Sequence, residues 1–139
     1  MRTVLLLTGL AALLLACGPG EGDVFALEVG RCLDDPGERT GIEEVEVVAC
    51  DQPHDFEVFA LVDLPEGTYP GDSEVAGRAR ETCTDRFAAY VGTEEASSAL
   101  ATAFLVPNQG GWAGGDRRVV CLLYEPDQPL EGSMRGAQR

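Results

Sequence analysis

The stretch IEEVEVVACDQPHDFEVFALV, residues 42–62, contains two runs in which apolar and polar side chains alternate. Alternation with a period of two is typical of a half-buried β-strand, because successive side chains point to opposite faces of a sheet. The runs cover residues 42–49 and 56–62, and the proline-containing segment 51–54 between them predicts a turn. We therefore expect two neighbouring strands that form a hairpin.

A helix is predicted over about residues 74–91, after a loop at 64–72 that is rich in proline and glycine. Apolar or small side chains recur in the helix at spacings of four and three, which places them on one face: Val75, Ala79, Cys83, Phe87 and Tyr90. Asp72 or Ser73 can cap the N-terminus by accepting hydrogen bonds from free backbone N–H groups. Gly92 is expected to end the helix.

The remaining segments complete an α+β fold. Residues 118–124 predict a central apolar strand that packs against the main helix, and residues 24–29 predict a first strand. The Ala- and Ser-rich segment 94–104 predicts a short second helix. We thus expect a small antiparallel sheet packed on one main helix, plus a short second helix, with two disulfides.

The cysteine count supports an oxidising compartment. One of the five cysteines, Cys17, is assigned to lipid attachment, which leaves an even number in a small exported domain. Of the three pairings that four cysteines permit, we favour the one that joins elements expected to be neighbours: Cys32 with Cys50 and Cys83 with Cys121. The alternative is a zinc site formed by Cys32, Cys50 and His54, but this spacing fits no common structural zinc site.

The N-terminus has the layout of a bacterial lipoprotein signal. Arg2 precedes an apolar run over residues 4–15, and Ala16 stands directly before Cys17, the residue expected to carry acyl chains such as palmitate. The run is shorter than the roughly 20 residues that span a bilayer, so we expect it to be removed. The predicted organisation is residues 1–16 as signal peptide, 17–23 as lipidated cysteine and flexible tether, 24–136 as the folded domain and 137–139 as a tail.

Charge excludes several classes of function. The formal net charge is −14 and all ten basic residues are arginine. Nucleic-acid binding needs a basic patch, and an anionic bilayer would repel this domain, so any membrane attachment must come from the lipid. Without lysine there is no P-loop and no Schiff base, and a single histidine excludes a His-Glu-x-x-His zinc site. We expect no cofactor and no metal.

His54 and Glu57 form the first candidate site. A histidine near carboxylates can act as a general base. The alternative is structural: His54 hydrogen-bonds within the turn and fixes the hairpin beside the first disulfide. We favour the structural role and predict no catalytic residue.

The segment NQGGWAGGD, residues 108–116, is the second candidate site, because four glycines surround the only tryptophan. Such glycines let the backbone approach a ligand, or let the chain bend while the indole of Trp112 covers the core. We favour the packing interpretation. Asp116 and Arg117 are then expected to form a local ion pair of small energetic worth.

The chain contains an ordered set of short motifs: Gly30-x-Cys32, Cys50-x-x-Pro53-His54-x-x-Glu57-Val58, Tyr90-Val-Gly92, Pro107, Trp112-x-x-Gly115-Asp116-Arg117-x-Val-x-Cys121 and Gly132-Ser-Met-Arg-Gly136. This set resembles the septum-formation domain of actinobacterial cell-envelope proteins. It covers roughly residues 24–136. Members of the family often have Gly-Asp-Cys-Phe where this chain has Gly30-Arg-Cys-Leu33. The resemblance implies a link to cell division.

The function expected from these observations is that of a lipid-anchored module on the outer face of the cell membrane. It would bind envelope or division proteins and would not catalyse a reaction. One alternative is a small hydrolase of wall material that uses His54 and Glu57. Another is a receptor for a small ligand or peptide, with Trp112 over the pocket.

Overall fold

The computed structural model describes residues 20–23, 26–35 and 44–139. The predicted signal peptide and the lipid attachment at Cys17 lie outside these residues. Within the described ranges, none of the helices combines the length and the apolar character that crossing a membrane requires.

In the described part of the chain, the core of the fold is one sheet of six strands. Its strands are β1 (Gly20–Asp23), β2 (Cys32–Asp34), β3 (Glu44–Val48), β4 (Phe56–Asp63), β5 (Ala101–Leu105) and β6 (Arg118–Tyr124). The spatial order is β1-β3-β2-β4-β6-β5, and every neighbouring pair is antiparallel. The predicted α+β class with an antiparallel sheet is confirmed, and β6 lies in its interior as expected.

The predicted hairpin between β3 and β4 is wrong, because β2 lies between the two strands. Val48 at the end of β3 and Glu57 at the start of β4 both pair with Cys32 of β2. The chain therefore crosses β2 between β3 and β4, and these two strands run parallel to each other. Alternation identified both strands correctly, but it carries no information about which strand is the neighbour.

The N-terminal elements also differ from the prediction. Residues 26–29, the described part of the predicted first strand, contain no strand. Gly30 has a φ of 92°, which turns the chain into β2. Residues Gly20–Asp23, expected to belong to a flexible tether, form β1 and pair with β3.

The main helix, α1, spans Asp72–Val91, and its inward face is the predicted one. The five residues of the predicted stripe are all buried: Val75, Ala79, Cys83, Phe87 and Tyr90. Gly92 ends the helix in the left-handed conformation, with its N–H donating to the Ala88 carbonyl. The predicted side-chain cap is wrong, because Gly71 occupies the N-cap position and the Asp72 carboxylate accepts from the Tyr69 hydroxyl.

A short second helix, α2, is present at Gln109–Ala113, but the predicted range 94–104 is wrong. That range contains a single 3-10 turn, Glu95–Ser97, followed by the edge strand β5. Pairing with β6 overrides the helix propensity of its alanines. The Glu95 carboxylate accepts from the Thr102 N–H at 2.8 Å, which occupies a backbone donor of this edge strand.

Both predicted disulfides are confirmed. Cys83–Cys121 connects α1 to β6 inside the core between helix and sheet, where both residues are fully buried. Cys32–Cys50 connects β2 to the turn after β3. A second apolar cluster lies on the other face of the sheet and includes Leu33, Val58 and Val120.

Candidate functional site

The residues predicted for a site fall into two separate groups at opposite ends of β4. His54 and Glu57 lie at its beginning. Trp112, Asp116 and Arg117 lie near its end, where Asp63 pairs with Arg118 of β6. Glu57 and Asp63 are six residues apart in one strand, which is about 20 Å. A single small ligand therefore cannot contact both groups.

Glu57 is a fully buried carboxylate, with 0% of its surface exposed. It accepts hydrogen bonds from the Tyr90 hydroxyl at 2.5 Å, the Ser133 hydroxyl at 2.6 Å and the Met134 backbone N–H at 2.6 Å. Burial of a charged group is tolerated only when hydrogen bonds replace its water. These three donors replace the water, and between them they use both carboxylate oxygens.

Tyr90 is held in its protonated form by this arrangement. Burial, followed by its hydrogen bond to Glu57, raises the pKa of Tyr90 to about 12. The Arg135 guanidinium lies 4.5 Å from the centre of the Tyr90 ring and acts in the opposite direction on that pKa. At neutral pH the phenol is therefore a fixed donor.

Two of the three bonds to Glu57, those from Ser133 and Met134, fasten the C-terminal segment, residues 130–139, to the core. The same segment closes the end of α1, because the N–H groups of Gly136 and Gln138 donate to the carbonyls of Tyr90 and Val91 at 2.8 and 2.9 Å. Glu57 and the motif 132–136 are both visible in the sequence, but their contact is not. No local signal could reveal it, since Ser133 and Met134 are 76 and 77 residues from Glu57.

His54 is buried beside Glu57, with 1% of its surface exposed. Its Nδ1 lies 2.7 Å from the Gln52 carbonyl oxygen, and its backbone pairs in both directions with Leu130. A carbonyl oxygen only accepts, so Nδ1 carries a proton, and in a neutral ring Nε2 is then the acceptor. Nε2 has no hydrogen-bond partner within the described ranges.

Cys32, His54 and Glu57 resemble a set of metal ligands in geometry. One ligand atom of each lies within 4.8 Å of the others, and all three residues are buried. The Cys32 sulfur is bonded to Cys50, however, and the three donors already occupy the Glu57 carboxylate. A metal would need the thiolate. The zinc alternative with Cys32, Cys50 and His54 does not fit, because the disulfide uses both sulfurs.

Trp112 is buried against the rest of the domain. It is 5% exposed, and its indole N–H donates to the Gly67 carbonyl at 2.8 Å. The Tyr69 ring meets it edge-on at 5.6 Å, and the Arg117 guanidinium lies 4.0 Å from the ring centre. Arg117 therefore already covers one face of the indole, and the small exposed fraction leaves little surface on which a ligand could stack.

Arg117 organises the loop around Trp112. Its Nη1 donates to the carbonyls of Trp112 and Asp116 at 2.7 and 2.8 Å, and its Nη2 lies 3.2 Å from the Glu66 carboxylate. The expected Asp116–Arg117 ion pair is wrong. The Asp116 carboxylate instead accepts from the Arg118 N–H at 2.9 Å, since adjacent residues entering a strand point to opposite sides.

A surface groove of about 340 Å³ adjoins this loop. Its charged walls include two ion pairs, Arg117 with Glu66 at 3.2 Å and Arg118 with Asp63 at 3.1 Å. The charges of these arginines are thus already balanced by protein carboxylates. An anionic ligand would have to displace Glu66 or Asp63.

Negative charge is unevenly distributed along the chain. Residues 20–66 contain fourteen acidic residues and two arginines, whereas residues 67–139 contain ten and seven. The first range contributes β1, β2, β3 and β4. In this half, Glu46, Asp51 and Asp55 are exposed. The exposed carboxylates that the structure describes in this half therefore give it a negative surface.

The chain matches a known protein family. The model of a family described as septum formation matches residues 23–121. Neither the curated proteins nor the solved structures include a significant match to the chain.

Proposed function

Because this chain belongs to the septum-formation family, we propose that it is a non-catalytic interaction module of the cell envelope that takes part in septum formation. In this proposal a lipid on Cys17 holds the domain on the outer face of the membrane. The domain then binds envelope or division proteins.

The observation that carries the non-catalytic proposal is the burial of Glu57 and His54, at 0% and 1% exposed. They are the acid–base pair that a hydrolase of wall material would use. A general base must come within hydrogen-bond reach of its substrate. Glu57 instead holds the C-terminal segment in place through Ser133 and Met134. The packing of Trp112 argues in the same way against a receptor that uses the indole as a platform.

The two disulfides support a location outside the cytoplasm, because disulfides persist in oxidising compartments. The signal-like N-terminus and Cys17 point to the same location. The negative half of the domain indicates the chemistry of the partner: we propose a surface rich in arginine or lysine. Such contacts accelerate association and weaken as salt increases.

Covalent capture in dividing cells tests this proposal. A photo-crosslinking residue at Glu46, exposed on β3 in the negative half, is compared with the same residue at Arg86, exposed on α1. We expect identified division or envelope proteins to be captured from position 46 and not from position 86. Capture at neither position, or the same proteins at both, would contradict the proposed binding face.

A second measurement separates binding from catalysis. Purified wall material is incubated with the protein and with His54→Ala. The proposal predicts no turnover with either protein. Turnover that His54→Ala abolishes while the melting temperature stays unchanged would favour the hydrolase.

A further inference from the structure

The two disulfides differ in their surroundings. Cys83 and Cys121 are both 0% exposed and lie in the apolar core under α1. Cys32 is 1% exposed, whereas its partner Cys50 is only half-buried. A reagent in solution therefore meets the Cys50 end of one disulfide first. The two disulfides can thus be compared within one molecule.

We propose that Cys32–Cys50 is a site of thiol–disulfide exchange with a dithiol, and that His54 stabilises its reduced form. Cys50 is the sulfur attacked and Cys32 is the sulfur that leaves. The proposal is independent of the proposed septal role and goes beyond it.

The unpartnered nitrogen of His54 carries this inference. Its Nδ1 is engaged with the Gln52 carbonyl, and Nε2, a buried acceptor, has no partner in the part of the chain that the structure describes. An imidazole nitrogen of His54 and the Cys32 sulfur lie within 4.8 Å of each other. A disulfide sulfur has no proton to donate. Reduction gives Cys32 an S–H group, a donor within 4.8 Å of a nitrogen of the His54 ring, in which Nε2 has no partner.

A carboxylate oxygen of Glu57 also lies within 4.8 Å of the Cys32 sulfur. A carboxylate at this place disfavours a thiolate beside it and favours the thiol. The thiol is the form of Cys32 that has a hydrogen to donate to His54.

The exchange follows ordinary disulfide chemistry. One thiolate of the dithiol attacks the Cys50 sulfur, a new S–S bond forms there, and the Cys32–Cys50 bond breaks with its electron pair on Cys32. Cys32 takes a proton from solvent. The second thiolate of the reagent then attacks its own sulfur in the mixed disulfide and releases Cys50, which is also protonated by solvent. The dithiol is oxidised to a disulfide, and the protein gains two electrons and two protons.

The test uses the protein purified from membranes in mild detergent, with a chelator present. It is equilibrated in mixtures of reduced and oxidised dithiothreitol. The redox state of each cysteine is then measured by differential alkylation and peptide mapping. We expect Cys32 and Cys50 to be reduced while Cys83–Cys121 stays oxidised and the circular dichroism spectrum stays native. Reduction of both disulfides together, only as the fold is lost, would overturn the proposal.

Two variants test the role of His54. In His54→Asn the amide nitrogen takes the place of Nδ1 and can still donate to Gln52, but Nε2 is gone. We expect its equilibrium constant for reduction of Cys32–Cys50 to fall about tenfold, or about 30 mV for this two-electron couple. His54→Gln places an amide oxygen near the position of Nε2 and should return the constant toward the wild-type value. A constant within twofold of wild type in folded His54→Asn contradicts the role of His54. If neither variant folds, the comparison of the two disulfides in the wild type decides whether Cys32–Cys50 is a site of exchange.

Discussion

Replacing Glu57 with glutamine tests whether one buried carboxylate holds the C-terminal segment to the core. In Glu57→Gln one oxygen can still accept from Tyr90 and Ser133. The other becomes an NH₂ group, so the Met134 N–H loses its acceptor or, if the amide turns over, the hydroxyl hydrogens of Tyr90 and Ser133 lose theirs. An unsatisfied buried donor costs about 1–3 kcal/mol, and the bonds that remain lose the contribution of the charge. We expect a loss of about 3 kcal/mol in the free energy of unfolding.

The assay is urea unfolding followed by circular dichroism, with the disulfides intact. A loss of that size should also lower the melting temperature by roughly 10 °C. Trypsin should cut after Arg135 faster than in the wild type, since the segment is less firmly held. Glu131→Gln is the matched control, because Glu131 is exposed in the same segment; its effect should stay within about 0.5 kcal/mol. If Glu57→Gln costs less than about 1 kcal/mol, the segment is held by something else and the reasoning is refuted.

Three further predictions concern other parts of the fold. The pKa of Tyr90 is raised to about 12, above its unfolded value of 10.0. The folded state therefore keeps a proton that the unfolded chain releases, so this contribution to stability is complete below about pH 10 and declines toward pH 12. In urea unfolding across that range, the free energy of unfolding of Tyr90→Phe should decline less steeply than that of the wild type. An identical slope for the two proteins would refute the assignment. Arg117→Lys keeps the charge but loses the planar contact with Trp112. We expect the free energy of unfolding to fall by about 1–2 kcal/mol and acrylamide to quench the indole fluorescence more strongly. Unchanged quenching would show that Arg117 does not cover the ring. Replacing both Cys83 and Cys121 with alanine opens a loop with a separation of 38 residues and should cost about 4 kcal/mol; a loss below about 1 kcal/mol in thermal unfolding would contradict a stabilising role.

Local patterns predicted those parts of the fold that depend on near neighbours in the chain. The spacing of apolar residues in α1 gave its buried face and its end at Gly92, because helical periodicity repeats within a few residues. The strands β4 and β6 followed from alternation and apolar runs in the same way. Both disulfides followed from judging which elements are adjacent.

The predictions of strand pairing failed where the paired segments are distant in the chain. β2 lies between β3 and β4, and residues 101–105 become an edge strand by pairing with β6. The chemistry of Glu57 was visible in the sequence, but its donors were not. Tyr90, the nearest of them in the chain, is 33 residues away. Such contacts are decided by the packing of the whole domain, so no local pattern contains them.

The position of the protein in dividing cells tests the central proposal most directly. Immunofluorescence of the wild type should show a membrane signal that is concentrated at division sites. Cys17→Ala should lose membrane attachment, because the lipid is proposed to hold the domain there. A wild-type signal spread evenly over the envelope, or confined to the cytoplasm, would contradict a septal role on the outer face of the membrane.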